Sequence, residues 1–85
     1  MKILLVEDDE MLNEMITEYI NSTGHVIIST KTGQESLEIL DSQKFDLLIL
    51  DISLPDIDGF TILEKMHEQK RMIPTIYISA LIDIE

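Results

Sequence analysis

The sequence has no cysteine and few basic residues, and both shortages exclude classes of function. Without cysteine, neither a disulfide framework nor a thiolate metal site can form, which fits a reducing compartment. Against 6 basic residues stand 17 acidic ones, and the formal net charge is −11. Such a surface should repel nucleic acid phosphates, so we expect no direct binding of nucleic acid by this segment.

Long apolar runs are also missing. None approaches the roughly 18 residues that a membrane-spanning helix needs. The N-terminal segment MKILLVEDDE turns acidic where a signal peptide would continue apolar toward its cleavage site. We therefore expect a cytoplasmic protein with no membrane association.

Short apolar runs alternate with helical patterns along the 85 residues, which suffice for one small domain. The patterns predict strands at residues 2–6, 25–30, 45–51 and 73–79. Helix-start signals between them are the acidic EDDE, the capping-box spacing from Thr32 to Glu35, and the segment near Asp58 and Gly59. Alternation of this kind indicates βαβ units and a parallel sheet covered by helices on both faces.

Two groups of side chains on these elements have ordinary structural interpretations. His25 and His67 have no second ligand at metal spacing, so we interpret them as structural or exposed. The methionine and aromatic residues of the helices are interpreted as core residues, including Met11, Met15, Tyr19 and Met66.

Acidic residues stand where two of the predicted strands end. Glu7, Asp8 and Asp9 follow the first strand, and Asp51 ends the third. In an open parallel sheet, ligands collect outside the carboxyl ends of the strands. If the two strands are neighbours, the carboxylates converge there and repel one another unless a cation lies between them. Oxygen ligands of this kind suit Mg²⁺, and Asp51 could either bind the metal or attack a phosphoryl group.

A simpler interpretation applies to each of these residues singly, because acidic side chains are favoured at helix N-termini and in turns. The full set at two strand ends favours a site.

Three segments resemble one family, the receiver domains of bacterial two-component response regulators. They are VEDD at residues 6–9, LDISLPDIDG at 50–59 and ISA at 78–80, and the resemblance runs over all 85 residues. It implies an α/β fold with a doubly wound parallel sheet, the flavodoxin-like receiver fold. The four strands present would have the order 2-1-3-4, which makes the first and third strands neighbours.

The resemblance also implies a set of metal ligands. The family's acidic pair fits best onto Glu7 and Asp8, because Leu12 then takes the first core-facing position of the helix and Asp9 is left to start it. A shift of one residue would instead select Asp8 and Asp9. Together with Asp51 and the backbone carbonyl of Ser53, the pair would hold Mg²⁺.

For the phosphoryl group, the resemblance assigns Asp51 as the acceptor, with Pro55 and Gly59 at the family's positions after it. Ser79, ending the fourth strand, matches the Ser/Thr whose hydroxyl binds the phosphoryl oxygens and acts in the switch, and Ala80 matches the small residue after it. These matches imply signal transduction by phosphorelay. A sensor histidine kinase or a small phosphodonor would phosphorylate Asp51, and the resulting conformational switch would control an effector domain, which could bind DNA to regulate transcription. The chain would be a phosphoacceptor that assists its own phosphorylation and dephosphorylation, not a turnover enzyme.

The sequence departs from the family after the fourth strand. Receiver domains continue with a fourth helix, a fifth strand that carries a lysine for the phosphoryl group, and a fifth helix, and LIDIE at residues 81–85 has no counterpart to them. We therefore expect residues 1–85 to be the incomplete N-terminal part of a receiver domain. It should self-associate through its uncovered fourth strand or through the face of the sheet beside the first helix, which the fifth helix would cover. Without the lysine it should be phosphorylated slowly.

Two alternatives belong to other classes of function. A phosphate-independent interaction module with the same fold would have lost an acidic residue or the acceptor, but Glu7, Asp8, Asp51 and Ser79 are all present. A metal-dependent hydrolase with an aspartyl nucleophile usually carries a second acid two residues after it, where this chain has Ser53.

Overall fold

The computed structural model describes residues 1–70 and 72–78 of the chain. Strands and helices alternate, as predicted: β1 (Lys2–Val6), α1 (Glu10–Ser22), β2 (Val26–Thr30), α2 (Gly33–Ser42), β3 (Leu47–Asp51), α3 (Gly59–Glu68) and β4 (Thr75–Ile78). These strands form one parallel sheet of order β2-β1-β3-β4. The predicted sheet and its strand order are confirmed, and β1 and β3 are neighbours at its centre.

The two central strands are buried on both faces, which explains their unbroken apolar runs. On one face Leu4, Val6, Leu48 and Leu50 pack with residues of α2 and α3, among them Leu40, Ile62 and Met66. On the other face Ile3, Leu5 and Ile49 pack with Ile16 and Ile20 of α1. Helices therefore cover both faces of the sheet, as the sequence predicts. In the part of the chain that the structure describes, no helix is long and apolar enough to cross a membrane.

Side-chain caps begin the three helices close to the predicted positions. Asp9 caps α1 and Asp58 caps α3, each accepting a hydrogen bond from a backbone N–H of the first turn. Thr32 caps α2 in the same way by accepting from the N–H of Glu35. The carboxylate of Glu35 accepts from the N–H of Lys31, one residue before the position that a capping box would use. The prediction that Asp9 starts the first helix is confirmed.

Three large side chains of α1 lie on the surface, so the prediction that they belong to the core is wrong. Met11, Met15 and Tyr19 are 73%, 60% and 69% exposed. They are spaced four residues apart and share one edge of the helix, while Ile16 and Ile20 face the sheet. Of the four side chains predicted to fill the core, Met66 alone is buried. The apolar surface of α1 is thus wider than the area covered by the described part of the sheet.

A second uncovered apolar area lies at the β4 edge. Within the described residues β4 pairs with β3 only, and Ile76 and Tyr77 are 51% and 47% exposed. The ring of Tyr77 lies 5.9 Å from that of Phe60, measured between centroids, and Phe60 is itself exposed. An apolar strand with unpaired backbone groups tends to pair with another chain.

We propose that the 85-residue chain, purified by itself, self-associates through β4. Sedimentation velocity over a range of concentrations should show a dimer or larger species. Ile76→Lys should return the chain to a monomer, because a charge on an edge strand opposes pairing. Val26→Lys is the matched control, since Val26 is an exposed residue of β2 at the other edge. A wild-type chain that stays monomeric at every concentration and unfolds cooperatively would contradict this expectation.

Candidate metal centre at the carboxyl edge of the sheet

Three carboxylates meet where β1 and β3 end. Val6 pairs with Leu50 in the parallel register, so the residues that follow them, Glu7 and Asp51, stand side by side. One carboxylate oxygen each of Glu7, Asp8 and Asp51 lies within 4.8 Å of the others. Glu7 and Asp51 are buried and Asp8 is exposed, so the cluster opens to solvent on one side.

Glu7 is the most unusual member of the cluster because its side chain is fully buried. Its Oε2 accepts a hydrogen bond of 2.9 Å from the N–H of Asp9. Its Oε1 has no hydrogen-bond partner among the described residues. Burial, together with the neighbouring carboxylates of Asp51 and Asp8, raises the pKa of Glu7 from its ordinary value of 4.5 to about 7, although the hydrogen bond from Asp9 opposes the rise. A buried carboxylate oxygen without a partner fits a cation, which would supply the missing interaction.

The raised pKa of Glu7 predicts a pH-dependent stability in metal-free protein. Below its unfolded pKa, near 4.5, the carboxyl is neutral in both states. Between pH 4.5 and about 7 the unfolded chain has lost this proton while the folded protein still holds it. The free energy of unfolding therefore falls as the pH rises across this interval, by about 3 kcal/mol in total. Glu7→Gln has no titrating carboxyl at this position, so its free energy of unfolding should lack this dependence on pH. Urea unfolding in a chelator, from pH 4 to pH 8, should therefore show the variant gaining on the wild type as pH rises, whereas a pH-independent difference would contradict the burial argument.

The carboxylate of Asp51 is oriented by the loop that follows it. Its Oδ1 accepts a hydrogen bond of 2.9 Å from the N–H of Ser53. The start of α3 then returns close to the end of β3, because a Cβ on Gly59 would lie 2.9 Å from both the carbonyl oxygen of Asp51 and the Cα of Ile52. Gly59 is thus needed for close approach of two backbones. The metal-binding role of the Ser53 carbonyl stays a prediction.

Asn13 is a residue of this edge that the sequence analysis missed. It is buried, and its side-chain amide donates hydrogen bonds of 3.0 Å to the carbonyl oxygen of Glu7 and 3.2 Å to that of Thr30. The N–H of Glu7 also donates to the carbonyl of Thr30, at 3.0 Å. Asn13 therefore fixes the ends of β1 and β2 beside the acidic cluster. The sequence signal that could have identified Asn13 is a polar side chain between Leu12 and Ile16, at a position of the helix that faces the sheet.

Two other residues of the sequence prediction, Asp9 and Ser79, have different outcomes. Asp9 is occupied as the cap of α1, with its Oδ1 accepting a bond of 3.1 Å from the N–H of Leu12. Ser79 and Ala80 lie outside the described residues, so the predicted role of Ser79 stays a prediction. The structure thus brings together Glu7, Asp8 and Asp51.

A family model described as the response regulator receiver domain matches residues 3–85. The chain belongs to this receiver domain family. Response regulator RR06 of Streptococcus pneumoniae is 39% identical over 83 residues, which are 98% of this chain and 38% of the relative. The alkaline phosphatase synthesis transcriptional regulatory protein PhoP of Bacillus subtilis is 32% identical over 79 residues, which are 93% of this chain and 33% of the relative. The receiver chain spans about a third of the length of these curated relatives.

Solved receiver domains have the same fold. The response regulator TrrA of Thermotoga maritima, in complex with Mg²⁺ and a beryllium fluoride, superimposes with a TM-score of 0.86 at 30% identity, over 94% of this chain and 70% of that one. A Francisella response regulator receiver domain gives a TM-score of 0.88 at 26% identity, over 94% of this chain and 66% of that one. The predicted family and the flavodoxin-like fold class are confirmed, and receiver domains are phosphoacceptor modules of two-component signalling.

Proposed function

We propose that Asp51 is the phosphoacceptor of this receiver domain in a two-component phosphorelay. The observation that supports the proposal best is the buried Asp51 carboxylate beside those of Glu7 and Asp8, at the edge where parallel strands place ligands. Isolated buried carboxylates at this spacing repel one another, so the arrangement favours a role with a cation and an anionic substrate.

Mg²⁺ is the cation that this donor set suits, because hard oxygen ligands with few protein carboxylates and an open side are typical of its sites. We assign Asp8, Asp51 and the carbonyl of Ser53 as its ligands, with Glu7 reaching it through water. When bound, Mg²⁺ neutralises negative charge on the carboxylates and on the phosphoryl oxygens. The Mg²⁺ in the TrrA structure supports the choice of metal by analogy.

The geometry of Asp51 indicates how the carboxylate would act. Oδ1 is held by the N–H of Ser53, which leaves Oδ2 as the attacking oxygen. A new bond forms between Oδ2 and phosphorus, and the bond between phosphorus and the donor atom breaks. The donor atom is the nitrogen of a phosphohistidine on a sensor kinase, or the acyl oxygen of acetyl phosphate. The product is an acyl phosphate on Asp51, and the donor leaves with its bonding electron pair.

The consequences beyond the site follow from the family. The added charge would engage Ser79 and shift a conformational equilibrium that controls an effector domain, which could bind DNA. Residues 1–85 would be the N-terminal part of the receiver domain, acting in the cytoplasm as a phosphoacceptor without turnover of a separate substrate.

Incubation of a receiver chain restored to full length with acetyl phosphate and Mg²⁺ tests the proposal, because residues 1–85 alone should be phosphorylated slowly. The protein should gain the mass of one phosphoryl group on Asp51, and hydroxylamine should remove it because an acyl phosphate is labile to that nucleophile. A protein that gains no mass, or gains a group stable to hydroxylamine, would contradict the proposal.

A further inference from the structure

Asp56, in the loop between β3 and α3 at residues 52–58, binds a helix far from it in sequence. Its Oδ1 accepts a hydrogen bond of 2.8 Å from the N–H of Gly33, and its Oδ2 accepts one of 2.9 Å from the N–H of Gln34. Both donors belong to the first turn of α2. These bonds lower the pKa of Asp56, as expected for a carboxylate that accepts two backbone hydrogen bonds.

The two bonds complete the N-terminus of α2. A helix leaves its first four N–H groups without partners inside the helix. In α2 the third, that of Glu35, donates to the side chain of Thr32, and the N–H of Ser36 makes the first regular helical bond, to the carbonyl of Thr32. The first and second donate to Asp56. The side chain of Thr32 thus caps this helix with one bond and that of Asp56 with two, and Asp56 alone connects it to the loop.

An apolar contact lies beside these bonds. A Cβ placed on Gly33 would lie 2.7 Å from the Cβ of Ile57, so the loop contacts α2 as closely as a glycine permits. The side chain of Ile57 also packs against the core that α2 and α3 share. Polar and apolar contacts therefore fix the middle of the loop on α2.

The same loop carries the groups that orient the phosphoacceptor. Ser53 is its second residue, and its N–H holds Oδ1 of Asp51. From the contacts above we propose that Asp56 is a positioning residue, which holds the loop on α2 so that the backbone of Ser53 stays in place beside Asp51. The inference rests on the proposed function of Asp51, because it concerns the preparation of that site.

Asp56→Ala and Thr32→Ala in the intact protein separate positioning from capping. Each variant removes helix caps of α2, so both should lower the thermal stability. Asp56→Ala alone should accelerate hydrogen–deuterium exchange at the amides of residues 52 and 53. It should also weaken Mg²⁺ binding, measured by NMR titration. The expected loss of affinity is about tenfold, the lower end of the range seen when a group that supports a metal ligand is removed. Asp56→Asn keeps one acceptor oxygen, so its amide exchange and its Mg²⁺ affinity should lie between those of Asp56→Ala and Thr32→Ala.

Gly33→Ala is a second variant, which keeps the Asp56 carboxylate but crowds the loop, because the new Cβ would lie 2.7 Å from the Cβ of Ile57 and 3.3 Å from Oδ1 of Asp56. It should therefore accelerate exchange at the same amides. If Thr32→Ala changes loop exchange and Mg²⁺ affinity as much as Asp56→Ala does, Asp56 is only a cap. If Asp56→Ala changes neither, the loop is positioned without it. These measurements use no phosphodonor. They would therefore test the role of Asp56 even if Asp51 were not phosphorylated.

Discussion

Replacement of Asp51 with asparagine should abolish phosphoryl transfer to the protein. The amide of asparagine is a poor nucleophile and carries no charge, so it can neither attack phosphorus nor bind a cation as the carboxylate does. The substitution changes shape very little, and the remaining side-chain oxygen can still accept the hydrogen bond from the N–H of Ser53. The loss of phosphorylation should therefore occur in a folded protein. Asp51→Glu should be phosphorylated poorly or not at all, because its longer side chain does not fit a position that is 1% exposed.

The measurement is the intact mass after incubation with acetyl phosphate and Mg²⁺. Asp58→Asn is the matched control, because Asp58 is an acid of the same loop whose exposed carboxylate caps α3 by accepting from the N–H of Phe60. The control should be phosphorylated like the wild type. Persistent phosphorylation of Asp51→Asn would assign the acceptor to another residue, with Glu7 and Asp8 as the neighbouring carboxylates to examine.

Features determined by short stretches of the chain were predicted well from the sequence. The unbroken apolar runs of β1 and β3 follow from burial on both faces, and the caps at Asp9 and Thr32 act within three residues of the groups they bind. Strand order came from the family resemblance instead, because nothing in the periodicity distinguishes one order of parallel strands from another. The convergence of Glu7 and Asp51 depended on that order.

Other features that depend on distant segments of the chain were not predicted. The exposure of Met11 and Tyr19 was missed because periodicity identifies an apolar surface but does not say what covers it. Asn13 and Asp56 were missed for a different reason. Their side chains bind backbone groups of residues up to 23 positions away, and backbone groups are present at every residue, so such bonds leave no pattern in the sequence.

Asp8→Ala should weaken Mg²⁺ binding by about tenfold or more, and Asp9→Ala should change it little. The carboxylate of Asp8 is exposed and has an oxygen within 4.8 Å of those of Glu7 and Asp51. The carboxylate of Asp9 is instead engaged with the N–H of Leu12 at the start of α1. Asp9→Ala should therefore lower the free energy of unfolding by about 1 kcal/mol, the usual cost of a lost helix cap. In metal-free protein, Asp8→Ala should not lower it, because removal of one of three neighbouring carboxylates reduces their repulsion.

Titration with Mg²⁺ or Mn²⁺, together with urea unfolding in a chelator, separates the two roles. We expect Asp8→Ala to lose metal affinity and keep its stability. Asp9→Ala should lose stability and keep its metal affinity. A larger loss of affinity in Asp9→Ala would mean that the acidic pair is Asp8 and Asp9, one residue further along the chain. The carboxylate of Asp9, whose Oδ1 accepts from the N–H of Leu12, would then either bind the cation through its remaining lone pairs or give up the cap of α1.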